Sequence, residues 1–335
     1  MDSYSSISLA IPLARAALLA IVLSVRSPVL AADLAASKIS IHLIGSYTPT
    51  AREVVRAGPR VLKVLDLGPD MLEAMREYKT RFPEGATVVR IYTVRRYEVG
   101  TDPQAAGRDF WENVLAPAVG ELSAEDRRLI DYLEGPNECE HYPVWDSPQH
   151  ARWFARFWET LAPLIGRAGY KPCVGSIPVG NPPGAPEQVQ RTFLAFAPAL
   201  RVAHRLGGAW SYHAYALEYT TDVSKESWTS LRYRMLHDAV AQRWPELADM
   251  PVILTEAGID RLGNPEQDGW HARGDAAAFT QWLAWFDARL REDDYVLGAT
   301  LFQSGDRRGW PSFDTEPING WLAEHLGAAR PGPGH

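Results

Sequence analysis

Cysteine is nearly missing from this chain: two occur in 335 residues, Cys139 and Cys173. So sparse a pair excludes a disulfide scaffold, and no Cys/His spacing offers a ligand set for zinc. Cys139 falls near the end of the fourth strand-like run and Cys173 near the start of the fifth. Neighbouring strands would hold them out of register for a disulfide, so two buried free thiols are expected. A Gly-rich phosphate-binding turn is also missing after the first strand-like run, which counts against an open, doubly wound nucleotide-binding sheet. Excess positive charge is absent as well: the net charge of −7 gives no electrostatic reason to expect nucleic acid as a partner. The N-terminal apolar run, Ala16 to Val25, falls short of the about 20 residues that a membrane span requires.

What is present suits one soluble globular domain. Hydrophobic residues make up 46% and charged residues 22%. Twelve Trp are the notable excess. Most are expected to pack between layers, and a minority to cover flat apolar ligand faces such as those of sugar rings. Residues 1–31 read as a signal peptide: Arg15, then the apolar run, then Val29-Leu30-Ala31 as a cleavage site. That reading implies a secreted or periplasmic protein. Asp2, the long stretch before Arg15, and Arg26 stand against it and keep open a lipid-anchored or uncleaved segment or a misplaced start codon.

Eight short apolar runs alternate with longer helix-period segments. The strand candidates are Lys38–Ile44, Val61–Leu67, Thr87–Thr93, Leu129–Glu138, Pro172–Pro178, Ala209–Ala216, Pro251–Glu256 and Leu297–Gln303. Near-continuous apolar runs are what parallel strands covered by helices require. Ser147-Pro148 signals a helix start before Trp153, Phe154, Phe157, Trp158 and Leu161. A second such stripe, between Gly274 and Arg291, holds Phe279, Trp282, Leu283 and Phe286. Eight βα units predict a single-domain α/β fold, the (β/α)8 or TIM barrel, over residues 37–326. Residues 327–335, rich in Gly and Pro, read as a disordered tail. Two long loops, Gly180–Glu187 and Arg261–Arg273, follow strands and so fall on the face where barrels carry their sites.

Two of these strands stop on a glutamate. The fourth reads Glu134-Gly135-Pro136-Asn137-Glu138 and the seventh Ile253-Leu254-Thr255-Glu256. Eight strands spaced about 4.8 Å and tilted about 36° close on a diameter of roughly 15 Å. Glutamates on strands 4 and 7 that reach inward would bring their carboxyl groups to about 5 Å, the separation of a retaining glycosidase.

Asn137-Glu138 closing strand 4 and Glu256 closing strand 7 resemble the signature of the clan A glycoside hydrolases. His213-x-Tyr215 on strand 6 and Arg90 on strand 3 extend the resemblance over strands 3 to 8. It implies a retaining O-glycosyl hydrolase cleaving β-glycosidic bonds of an oligo- or polysaccharide, with no cofactor, no metal and a monomeric state. In that resemblance Glu138 is the general acid and then base, and Glu256 the nucleophile. Tyr215 and Arg90 attend Glu256, Asn137 meets a sugar hydroxyl, and His213 binds substrate or holds Glu138. One departure is clear: where many clan members end strand 8 on Trp, this chain has Phe302-Gln303, so Phe302, Gln303 or a returning Trp310 must take that place. His42, Trp270 and Trp310 complete the expected substrate-binding set, with Asp66 a weaker candidate. Glu140, Tyr142 and Trp145 are equally readable as distal subsites or ordinary surface. Two alternatives stay open: a non-catalytic glycan-binding barrel, and a metal-dependent hydrolase barrel, the latter poorly served by only two strand-end His.

Overall fold

In the computed structural model, which describes residues 32–328, eight parallel strands close in sequence order into a barrel. They are β1 (Ile39–Ile44), β2 (Val61–Leu65), β3 (Ala86–Arg90), β4 (Tyr132–Glu134), β5 (Lys171–Ile177), β6 (Ala209–Ala216), β7 (Val252–Ile259) and β8 (Val296–Ser304). β8 pairs back onto β1, from Ile39 opposite Ala299 to Leu43 opposite Ser304. The (β/α)8 barrel expected from the sequence is therefore the observed fold. The signal-peptide reading and residues 329–335 of the tail lie outside the described residues. Gly327 and Ala328, counted with the tail above, end the last helix, Asn319–Ala328.

Helices cover the barrel as their apolar stripes require. The helix Pro148–Arg167 starts where Ser147 accepts a hydrogen bond from the His150 amide, and it buries Trp153, Phe154, Phe157, Trp158 and Leu161. The helix Ala276–Leu290 is capped by Asp275 and buries Phe279, Trp282, Leu283 and Phe286. Its Asp287 is also buried and binds the Lys38 amide at 2.7 Å and His325 at 3.0 Å. That one carboxylate ties the last helix to the entry of β1.

β4 corrects the sequence reading. It holds three residues, not ten, and ends at Glu134 rather than Glu138. Pro136 lacks an amide for further ladder bonds, and a Cβ on Gly135 would lie 2.3 Å from the Trp158 ring. The chain must therefore leave the sheet, and Glu138 opens a one-turn helix, Glu138–His141. Cys139 lies on that turn, half-buried, while Cys173 is buried within β5; both are free thiols.

β7 departs from expectation in the other direction by running three residues beyond Glu256. It carries one extra residue against both neighbours: Leu254 and Glu256 face Tyr212 and His213, and Leu254 and Ala257 face Ala299 and Leu301. This bulge breaks the period of two. Ile253 points into the barrel floor with Val61, Val88, Tyr132 and Cys173. Thr255 also points inward, its hydroxyl 2.7 Å from that of Ser211, while its carbonyl accepts from Thr300 at 2.7 Å. Because of the extra residue, Glu256 faces inward too. A regular strand would turn it toward the helices.

The aromatic stripe makes a measurable claim on stability. Trp282→Ala, which empties a buried site between helix and barrel, should cost about 3–5 kcal/mol in urea unfolding, while the exposed Arg291→Ala should stay within about 0.5 kcal/mol.

Candidate active site

Above the apolar floor the barrel interior becomes polar. Lys63, Arg90, Glu134, Ser211 and Thr255 form this layer, all buried. A cavity of about 630 Å³ opens over it at the C-terminal ends of the strands, lined in part by Arg90, Asn137, Glu138, Tyr215, Glu256 and Trp310. Barrel sites occupy this face because the loops after the strands can vary there without disturbing the core.

Glu256, 5% exposed, lies at the bottom of the cavity with both oxygens engaged. Oε1 accepts from Arg90 Nη1 at 2.6 Å and lies 3.4 Å from Lys63 Nζ. Oε2 accepts from the Tyr215 hydroxyl at 2.8 Å, with His213 Nδ1 at 3.5 Å. Burial alone would push the carboxyl pKa upward. The fields of His213, Arg90 and Lys63 overcome that and hold it well below the usual carboxylate range.

Glu138 approaches from the other side. Its backbone sits in the left-handed region, with φ of 41°, a conformation seldom adopted by residues other than Gly, Asn or Asp. Its Oε1 is 2.5 Å from His213 Nδ1. Carboxylate oxygens of Glu138 and Glu256 lie within 4.8 Å of one another and of the His213 ring nitrogen. Arg90 Nη1 also donates to the Asn137 side-chain oxygen, which binds the Asn137-Glu138 segment to the same guanidinium that holds Glu256.

Other expected site residues fall elsewhere. Trp270 does not reach the cavity. It is buried, stacks on Phe279 at 4.8 Å and donates to the Asp314 carbonyl. Gln303 is also turned away from substrate. Its amide nitrogen donates to the carbonyls of Asp306 and Trp310, and its oxygen accepts from the Asp306 amide. His42 lies behind Glu256 rather than on the cavity wall, 3.9 Å from Oε1. Burial, then the fields of Lys63 and Arg90, push its pKa well down and keep the ring neutral. Asp66 accepts from the Tyr92 amide and so shapes a loop. Trp145 and Tyr142 are core, whereas Glu140 lines the cavity.

Phe302 and Trp310 do reach the cavity, and together with Phe313 they form an edge-to-face cluster with centroids 5.1–5.5 Å apart. Tyr92, 66% exposed, and Leu262, 85% exposed, add apolar lining at the mouth. Asp260 lines the cavity as well. Burial pushes its carboxyl up to about 6 despite the hydrogen bond from the Gly263 amide.

Sequence reasoning missed Lys63, Glu134, Asp260 and Tyr92. The first two had a legible signal: Val61-Leu62-Lys63-Val64-Leu65 and Tyr132-Leu133-Glu134 each place one charge in an apolar run. Lys63 Nζ and Glu134 Oε2 are 2.8 Å apart and both side chains are fully buried. Burial raises the Glu134 carboxyl, but Lys63 and Arg90 outweigh it and bring it to about 2.

Glu138, His213 and Glu256 also have the composition of a metal-ligand group among the described residues. Their donors do not suit one. Glu256 Oε1 already faces a guanidinium and an ammonium, which would repel a dication, and His213 Nδ1 is directed at Glu138.

No protein-family model and no curated protein sequence matches this chain. Solved structures do. A glycoside hydrolase family 5 enzyme from Prevotella bryantii matches at 11% identity and a TM-score of 0.48, covering 86% of this chain and 95% of its own. An endo-β-1,4-glucanase from Xanthomonas axonopodis pv. citri matches at 13% and 0.48, over 88% and 100%. A β-mannanase from Streptomyces thermolilacinus matches at 15% and 0.43, over 83% and 82%. At these identities the likeness is one of barrel architecture and says nothing of substrate.

The Gln303 bonds make the cavity rim testable. Gln303→Ala should speed amide hydrogen exchange across residues 306–313 by about tenfold or more, since it removes three hydrogen bonds worth about 1 kcal/mol each.

Proposed function

We propose that this protein is a retaining glycoside hydrolase acting on β-linked oligo- or polysaccharides. The observation that carries the reading is that a carboxylate oxygen of Glu138 and one of Glu256 lie within 4.8 Å of each other at an open cavity. Retaining enzymes hold the two carboxyl groups about 5–5.5 Å apart, whereas inverting enzymes need about 6.5–9.5 Å to admit a water.

The two environments divide the labour. Glu256 is buried among cations and stays ionised, as a nucleophile must. Glu138 is partly open to the cavity and steadied by His213, so it can exchange a proton with water between steps. In the first step a Glu256 oxygen bonds to the anomeric carbon while the bond to the leaving oxygen breaks, and Glu138 gives that oxygen its proton. In the second, water loses a proton to Glu138 and attacks the same carbon, and the electron pair of the ester bond returns to Glu256. The Asn137 amide, oriented by Arg90, is placed to bind a ring hydroxyl, and Tyr92, Trp310 and Phe302 offer faces to sugar C–H groups. The leader-like residues 1–31 favour a substrate met outside the cytoplasm.

Incubation with a panel of 2-fluoro glycosides, followed by peptide mapping, should place a single covalent label on Glu256. Label on another residue, or glycan binding with no turnover by the wild type on any member of a broad panel, would sink the reading. Glu138→Ala should lower kcat about 10²–10⁴-fold on substrates with poor leaving groups and much less on activated aryl glycosides, with azide restoring turnover.

A further inference from the structure

We infer that the buried Lys63–Glu134 pair is a positioning device for the Glu256 carboxylate, with Lys63 supplying a second cation to Oε1 and Glu134 limiting its strength. The inference rests on the reading of Glu256 as nucleophile. Lys63 Nζ stands 2.8 Å from Glu134 Oε2 and 3.4 Å from Glu256 Oε1, so one ammonium bridges two carboxylates inside the barrel. Both members of the pair are fully buried, and Glu134 is anchored further by the Ser211 hydroxyl at 2.5 Å. A lone ammonium or carboxylate there would be costly, and neither lines the cavity to meet substrate.

The geometry makes the two oxygens of Glu256 unequal. Oε1 faces the two fixed cations Arg90 and Lys63, while Oε2 accepts from the Tyr215 hydroxyl and has His213 Nδ1 at 3.5 Å, a nitrogen that lies closer, at 2.5 Å, to Glu138. Attack therefore falls to Oε2, and Oε1 becomes the carbonyl oxygen of the glycosyl ester, still beside its two cations. When that ester bond breaks, negative charge returns to the carboxylate and the cations stabilise it. The pair thus favours the second step at some expense to the first. Glu134 prevents the excess: an uncompensated Lys63 would make Glu256 a poorer nucleophile. The titratable groups around Glu256 are the neutral His42 from β1, Lys63 from β2, Arg90 from β3, Glu134 from β4, Glu138 beyond it, and His213 and Tyr215 from β6. Asp260 follows on β7's own loop.

The test compares wild type, Glu134→Gln, Lys63→Met/Glu134→Gln, and Lys63→Arg. Side-chain carboxyls labelled with 13C are titrated by NMR, with Glu256 assigned by its loss in Glu256→Gln. The double variant removes the cation without stranding Glu134, so Glu256 should titrate at higher pH than in wild type. Glu134→Gln alone should move it to lower pH, and Lys63→Arg should leave it near the wild-type position. In kinetics, kcat/KM of the double variant should fall about tenfold more at the acid end than at neutral pH, which is one unit of displacement in the acid limb. The burst of aglycone relative to the steady rate should grow as the second step slows. An unmoved Glu256 titration in a folded double variant overturns the proposal. If that variant does not fold, a Glu256 titration that rises in Glu134→Gln does the same. The NMR readings need no turnover, so a protein that hydrolyses no glycan would refute the glycosidase reading while leaving the Lys63 field to be judged separately.

Discussion

A carboxylate kept ionised inside a barrel is the constraint on which the rest of this structure depends. Glu256 is almost wholly removed from water, and burial by itself would neutralise it. Taking such an ion out of water costs several kcal/mol even after relaxation, so cations must be built in beside it. Arg90 and Lys63 supply them, and the extra positive charge then calls for Glu134. Two cations and two anions thus stand together inside the barrel, and the apolar floor beneath excludes water from below.

The same constraint links Glu138 to Glu256. Arg90 reaches Asn137 and Glu256 together, and His213 lies between Glu138 and Glu256. The loop after β4 is therefore positioned by the charge layer as much as by its own turn. From outside, Trp158 lies against Gly135 and closes the space that any larger residue would need. The unusual backbone of Glu138 is held from both directions. On the rim, Gln303 fastens the loop that carries Trp310, so an aromatic face just beyond β8 folds back to stand beside Phe302.

Much of this was legible. Parallel strands buried on both faces must read as apolar runs, and eight of them with capped helices between predict a barrel. Ser147 and the stripe from Trp153 to Leu161 marked a helix that formed as expected. Other features were illegible because they depend on register or on loop packing. Whether Trp270 stacks on Phe279 or faces a cavity is decided by how its loop folds, and local sequence carries no trace of that. Gln303 and Phe302 are adjacent, yet one fastens a loop and the other faces the cavity.

The sequence by itself determined the fold class, the order of the strands and the identity of two glutamates at the mouth, because periodicity and strand placement are local properties. Tertiary structure alone decided that both glutamates point inward. The added residue at Thr255 turns Glu256 off the helix-facing side, and the early end of β4 sends Glu138 back over the opening. It also decided which charges surround the carboxylate, since Lys63, Arg90 and Glu134, on the neighbouring strands β2, β3 and β4, come to Glu256 on β7 only when the sheet closes. Charge pairing across a barrel depends on distances that no stretch of chain contains.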